Sequence, residues 1–195
     1  DGSGDFNGDG FDDLLIGAYT ATALGRDSSG AGYVIFGHDQ ATPRRFNIDA
    51  LDGSNGFQIA GHSSEDRTGR EISNAGDFNG DGFDDILIGA DFIDREFTPD
   101  QAAAYNVGGA FLIYGSASGM PASIDLARLD ASEGLRFEGE NQNDRAGMGA
   151  HGVGDVNGDG FADIALGAVR ADSNGFIDNG AVYVVFGHAS DSTTI

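Results

Sequence analysis

Asp77-Phe78-Asn79-Gly80-Asp81-Gly82-Phe83-Asp84-Asp85 places side-chain oxygens at its first, third, fifth and ninth positions. The pattern recurs at Asp5 to Asp13 and, with Val156 and Ala162 as its only changes, at Asp155 to Asp163. Asn-Gly and Asp-Gly pairs are turn formers, and a single copy would mean no more than a turn. Three copies that keep four oxygen donors at one spacing point instead to a hard cation. Calcium fits best, since it takes six to eight oxygens in flexible geometry.

The candidate ligands are Asp5, Asn7, Asp9, Asp13 and the Phe11 carbonyl in the first loop. In the second they are Asp77, Asn79, Asp81, Asp85 and the Phe83 carbonyl, and in the third Asp155, Asn157, Asp159, Asp163 and the Phe161 carbonyl. Three calcium ions are expected, one per loop. Gly10, Gly82 and Gly160 stand at the sixth position, where the loop must turn sharply and a Cβ is expected to obstruct it. An EF-hand would need Glu at position twelve, which here holds Ile16, Ile88 or Leu166, so the ninth-position Asp must close each site.

The repeat extends outward from the loops. After each comes an apolar run ending in Gly-Ala: Leu14 to Ala18, Ile86 to Ala90 and Ile164 to Ala168. A second run ends in aromatic-Gly: Tyr33 to Gly37, Phe111 to Gly115 and Tyr183 to Gly187. Asp5 and Asp77 are 72 residues apart, Asp77 and Asp155 are 78, and the whole difference lies in a surface loop between the two runs. Short glycine-bounded runs rich in Val, Ile, Leu and aromatics predict strands buried on both faces. Gly56 to Gly61 and Gly134 to Gly139 alternate like half-exposed strands, and Glu71 to Ala75 and Ala150 to Val153 suit crowded inner strands. One short helical crossover is expected around Ile124 to Leu129.

Four-stranded units in tandem, none able to bury its faces alone, predict an all-β fold of antiparallel propeller blades. The calcium-type loop, the Gly-Ala ending and the Phe-Gly ending together resemble the FG-GAP repeat of integrin α-subunit propellers and their bacterial relatives. The position after Gly-Ala is Tyr19, Asp91 or Val169, never the proline of that pattern. The resemblance implies a seven-bladed ring with calcium loops on one face and ligand-binding loops on the other. This chain supplies a partial propeller of nearly three blades: 1–61, lacking most of its inner strand; 62–139; and 140–195, lacking its outer strand. Further blades of a parent protein, or self-association through exposed blade faces, are expected to cover the ends.

Ten basic residues against 32 acidic give a net charge of −22. Nucleic acid and anionic membrane surfaces are disfavoured, since each calls for a basic patch, and no apolar stretch suits membrane insertion. With no cysteine there are no disulfides to brace the fold, and bound ions must take that role. Calcium loops of this kind suit an extracellular setting, secreted or on the cell surface. The absence of both cysteine and an N-glycosylation sequon points to a bacterial source.

No catalytic motif emerges. His38 and His188 follow equivalent Phe-Gly endings and read as turn residues, and His62 and His151 stand in unrelated contexts. Asp12 and Asp84 read as solvent-facing companions of their loops, and a glycosidase-like carboxylate pair is better explained as ion ligands. Two readings stay open: a non-enzymatic recognition, adhesion or scaffold module that binds a protein or glycan through loops such as 91–108, or the non-catalytic propeller portion of a secreted hydrolase or lyase.

Overall fold

The computed structural model describes residues 4–39, 46–96, 102–172 and 176–189. Residues 1–3 and 190–195 of the outer blades, and 97–101 of the expected recognition loop, lie outside that description. Eleven strands and no α-helix occur among the described residues: β1 Leu14–Ala18, β2 Ala31–Ile35, β3 Gly56–Ala60, β4 Ile72–Gly76, β5 Asp85–Ala90, β6 Gly109–Ile113, β7 Ser123–Asp125, β8 Gly134–Glu138, β9 Ala146–Gly154, β10 Asp163–Ala168 and β11 Ala181–Val185.

They form three sheets, ordered β1-β2-β3-β7, β4-β5-β6-β8 and β9-β10-β11. All pairings are antiparallel except β3 with β7. The sheets stack without closing, as a partial propeller must, and apolar side chains fill the two seams. Leu15, Val34, Phe57 and Ile59 of the first sheet meet Ile86, Ile88, Phe111 and Ile113 of the second. Leu87 and Leu112 of the second meet Ile164 and Leu166 of the third.

Burial on both faces holds only for the middle sheet, where every residue of β5 and β6 is buried. β1 and β11 run largely exposed, because each belongs to a sheet with one uncovered face. The second runs also end two residues earlier than the apolar pattern suggests, at Ile35, Ile113 and Val185. Their aromatic-Gly ends belong to a turn with its own bonding. Of the two alternating segments, β8 is half-exposed as expected, whereas β3 is mostly buried.

The cause is β7. It follows β6 of the second sheet in sequence, yet adds itself to the first, with Ile59 opposite Ile124 and Ala60 opposite Asp125. The expected crossover turn is thus a strand followed by one 3-10 turn, Leu126–Arg128, capped by the Asp125 carboxylate, which accepts from the Ala127 N–H at 3.1 Å. An unforeseen second turn, Ile48–Ala50, is capped in the same way by Asn47, 78 residues before Asp125.

Gly17 and Gly89 of the Gly-Ala endings set the spacing between blades. A Cβ on Gly17 would lie 2.0 Å from the Gly69 carbonyl oxygen of the next sheet, and one on Gly89 would lie 2.1 Å from that of Gly147. Gly167 ends the series with its nearest neighbour at 3.6 Å.

Candidate metal centres

The second and third loops join β4 to β5 and β9 to β10, the first leads into β1, and all three share one pattern of hydrogen bonds. The first-position carboxylate accepts two backbone N–H groups: Asp77 takes those of Asp81 at 3.0 Å and Gly82 at 3.0 Å. Asp5 takes those of Asp9 and Gly10, and Asp155 those of Asp159 and Gly160 together with a third, from Gly158 at 2.7 Å. The third-position Asn accepts from the fifth residue's N–H and donates its amide to that residue's carboxylate, at 2.9 Å in the second loop. The Phe83 N–H closes the turn onto Asp81 at 3.0 Å. These bonds gather Asp, Asn and Asp side chains into one concave loop.

The sixth-position glycines sit at φ of +89°, +93° and +95°, which L side chains rarely adopt. Open space surrounds the place a Cβ would occupy, so backbone conformation requires glycine there and obstruction does not.

Asp13, Asp85 and Asp163 play a part that spacing alone did not reveal. They are 1%, 0% and 0% exposed, and each spans two turns. Asp85 accepts from the Phe78 N–H at 3.0 Å and from the Gly115 N–H at 3.0 Å. Asp13 does so with Phe6 and Gly37, and Asp163 with Val156 and Gly187. The aromatic-Gly ending is thus the second half of the ion loop's frame. Its glycine has no room for a Cβ, which on Gly115 would lie 2.3 Å from the Asp84 carbonyl oxygen.

Burial pushes the Asp13 carboxyl up to about 6, with Asp9 and Asp5 adding to the rise and the Gly37 and Phe6 N–H groups opposing it. Asp85 is pushed up to about 7 by burial, with Asp81 and Asp77 adding to it. A buried carboxylate facing two others is the electrostatic setting that a divalent cation relieves. Among the described residues, no three His, Cys, Asp or Glu side chains converge as a ready-made metal cluster. The carboxylates rest on backbone N–H groups, and holding an ion would mean turning free lone pairs onto it. The donors themselves, all oxygens in the order Asp, Asn, Asp, Asp, fit calcium.

The loops are also stitched to one another. Asp84, expected to face solvent, is half-buried and accepts from the Asp5 N–H at 3.0 Å and the Asn74 amide at 3.3 Å, so it links two loops. Asp12 is exposed as expected. The Phe83 and Phe161 rings cover Gly8 and Gly80 of the preceding loop, where a Cβ would lie 2.4 Å from either ring. Phe83 and Phe161, though not the exposed Phe11, therefore also lock adjacent blades together.

At the opposite end of the strands, His62 lines a groove of about 540 Å³ with Asp66, Asp94, Tyr105 and Arg136. Its Nε2 is 2.8 Å from the Arg136 guanidinium, which can only donate. The proton therefore sits on Nδ1, which faces Asp66 at 3.2 Å. With both ring nitrogens engaged and the ring stacked on Phe111, His62 serves as a structural link.

The FG-GAP repeat model matches residues 2–35, 68–106 and 152–185, more than half of the chain. The chain belongs to the FG-GAP repeat family. It is 30% identical over 173 residues to integrin alpha-4 of Xenopus laevis, covering 87% of this chain and 14% of that protein. It is 28% identical over 173 residues to the phosphatidylinositol-glycan-specific phospholipase D of Bos taurus, covering 89% of this chain and 18% of that protein. The chain thus spans less than a fifth of the length of these relatives. Among the described residues, no helix is long and apolar enough to cross a membrane.

Proposed function

We propose that this FG-GAP propeller segment binds three calcium ions and serves as a recognition, adhesion or scaffold module of a secreted or cell-surface protein, without turnover of its own. The observation that carries the calcium reading is the threefold repetition of one hydrogen-bonded loop that ends on a buried carboxylate. Asp5, Asn7, Asp9 and Asp13, with their counterparts, would hold the ions, and the bound charge would offset the repulsion among them. The likeness to integrin alpha subunits favours an extracellular setting and a protein partner. The groove around His62, lined also by Asp94, Arg95, Glu96, Ala103 and Tyr105, offers the surface for it, at the end of the strands away from the ion loops. The relatives come from animals and lend no support to a bacterial source.

The phospholipase relatives favour a second reading, in which the segment is the non-catalytic part of a secreted hydrolase. Flanking sequence separates the two.

Calorimetric titration tests the ion reading. We expect three calcium ions per chain, with Asp9→Ala, Asp81→Ala or Asp159→Ala each leaving two and Asp12→Ala leaving three. Calcium at 100 times its dissociation constant should add about 2.7 kcal/mol of stability per site. An unchanged melting temperature between excess EDTA and millimolar calcium overturns the reading.

A further inference from the structure

The ion loops meet one another at both seams through the same backbone contacts, and the two meetings differ at one side chain. Where the second blade meets the first loop, the Asp84 N–H donates to the Asp5 carbonyl oxygen at 3.4 Å, the Ser116 N–H donates to the Phe6 carbonyl oxygen at 2.9 Å, and the Phe83 ring covers Gly8. The third blade repeats each contact on the second loop: Ala162 to Asp77 at 3.0 Å, His188 to Phe78 at 3.0 Å, and the Phe161 ring on Gly80. What is not repeated is a carboxylate. Asp84 Oδ2 accepts the Asp5 N–H at 3.0 Å, and the Asn74 amide braces the same oxygen at 3.3 Å while its own Oδ1 accepts from the Gly76 N–H at 2.7 Å. Ala162 stands at the matching place beside Asp77 and offers only a methyl group.

The place of Asp84 in its own loop gives this bond a consequence. Asp84 lies between Phe83, whose carbonyl is a candidate ligand, and Asp85, whose buried carboxylate closes the second site. Its partner Asp5 is the first ligand of the other loop, with a side chain held by the Asp9 and Gly10 N–H groups. The stretch 83–85 thus serves two loops. Holding an ion with Phe83 and Asp85 would fix the backbone on either side of Asp84, and Asp84 in turn fixes Asp5. Ordering paid for in one loop is then not paid again in the other.

We propose that Asp84 is a positioning residue for the ion site of the neighbouring blade, and that through it the first and second sites bind calcium with positive coupling, more strongly than the second and third. The inference rests on the calcium reading above. Linkage is reciprocal, so each of the two sites raises the affinity of the other by one and the same factor, expected to be about fivefold or more.

Calorimetric titration with calcium measures that factor. Asp81→Ala with Asp159→Ala leaves the first site alone, Asp9→Ala with Asp159→Ala leaves the second alone, and Asp159→Ala by itself leaves the pair. The product of the two binding constants in the paired protein should exceed the product of the isolated constants at least about fivefold. Asp84→Ala, added to all three backgrounds, should bring that ratio to about 1, whereas Asp84→Asn keeps an acceptor oxygen for the Asp5 N–H and should retain most of it. A merely weakened fold would lower both isolated constants without removing the ratio, because the two sites would then share the folding cost. Ala162→Asp, measured in the same way on the second and third sites, should raise their coupling above that of the native pair. A ratio of about 1 in the paired protein, or one that Asp84→Ala leaves unchanged, overturns the proposal while the calcium reading stands. No calcium bound by the paired protein overturns both.

Discussion

The two seams of this molecule use the same strand positions, yet among the described residues only the first is sealed. Between the first and second sheets, β7 crosses over and buries Ile124 and Leu126, and β3 becomes an inner strand of its sheet. Between the second and third, the matching space is a groove, and no described strand pairs with the outer edge of β8. In a stacked repeat each unit is completed by its neighbours, so similar local sequence gives different burial according to what adjoins it.

The sharpest break of this comparison is made with one atom. Gly89→Ala puts a Cβ 2.1 Å from the Gly147 carbonyl oxygen, and the sheets must move apart, at a cost of about 2–3 kcal/mol. Gly167→Ala, the same change at the uncovered end, should be close to neutral, since its nearest neighbour is 3.6 Å away. Urea denaturation of the two variants in calcium checks the pair, and equal losses would mean that the glycines do not set the blade spacing.

A comparable loss follows from the 3-10 turn after β7. Leu126→Ala should cost about 2–4 kcal/mol, because the side chain is 2% exposed in the first seam. Ile48→Ala, its counterpart at 41% exposure, should stay within about 0.5 kcal/mol. Arg26→Ala, which removes the partner of Asp125, should fall between them at about 1 kcal/mol or less, since both side chains are partly exposed.

The smallest effect concerns the residue after Gly-Ala, which differs in every blade. Asp91 is fully buried, neither carboxylate oxygen has a hydrogen-bond partner, and the nearest cation is Arg70 at 3.7 Å. Burial raises its carboxyl above the ordinary range, with Arg70, Arg145 and Arg67 only partly opposing. A raised folded-state value means stability that is complete below the ordinary carboxylate range and is lost as pH rises through the folded value. Asp91→Asn should therefore match or exceed the native melting temperature at neutral pH, and the advantage should vanish in acid. A variant that melts lower at every pH would show that Asp91 is held by its arginines.

Several particulars were legible in the sequence because they repeat locally. The loops at 5, 77 and 155 and the apolar runs that became β1, β5 and β10 are set by neighbours a few residues apart, through Asx-type bonds and glycine φ values. Legible in part was the aromatic-Gly ending. Its repetition was plain, but its meaning as a donor to Asp13, Asp85 and Asp163 spans 24 to 30 residues. Illegible was β7, since Ser123-Ile124-Asp125 differs little from a helical crossover until a strand of another blade lies beside it.

By itself the sequence determined the repeat, the oxygen-rich loops and the strand content, because each rests on short-range pattern and on backbone conformations that few residues can adopt. Only the tertiary structure decided which faces are covered, that Asp84 and the Phe83 ring join blades, and that β7 is lent to its neighbour. Those outcomes depend on surfaces brought together from distant parts of the chain, where burial and carbonyl contacts outweigh local preference.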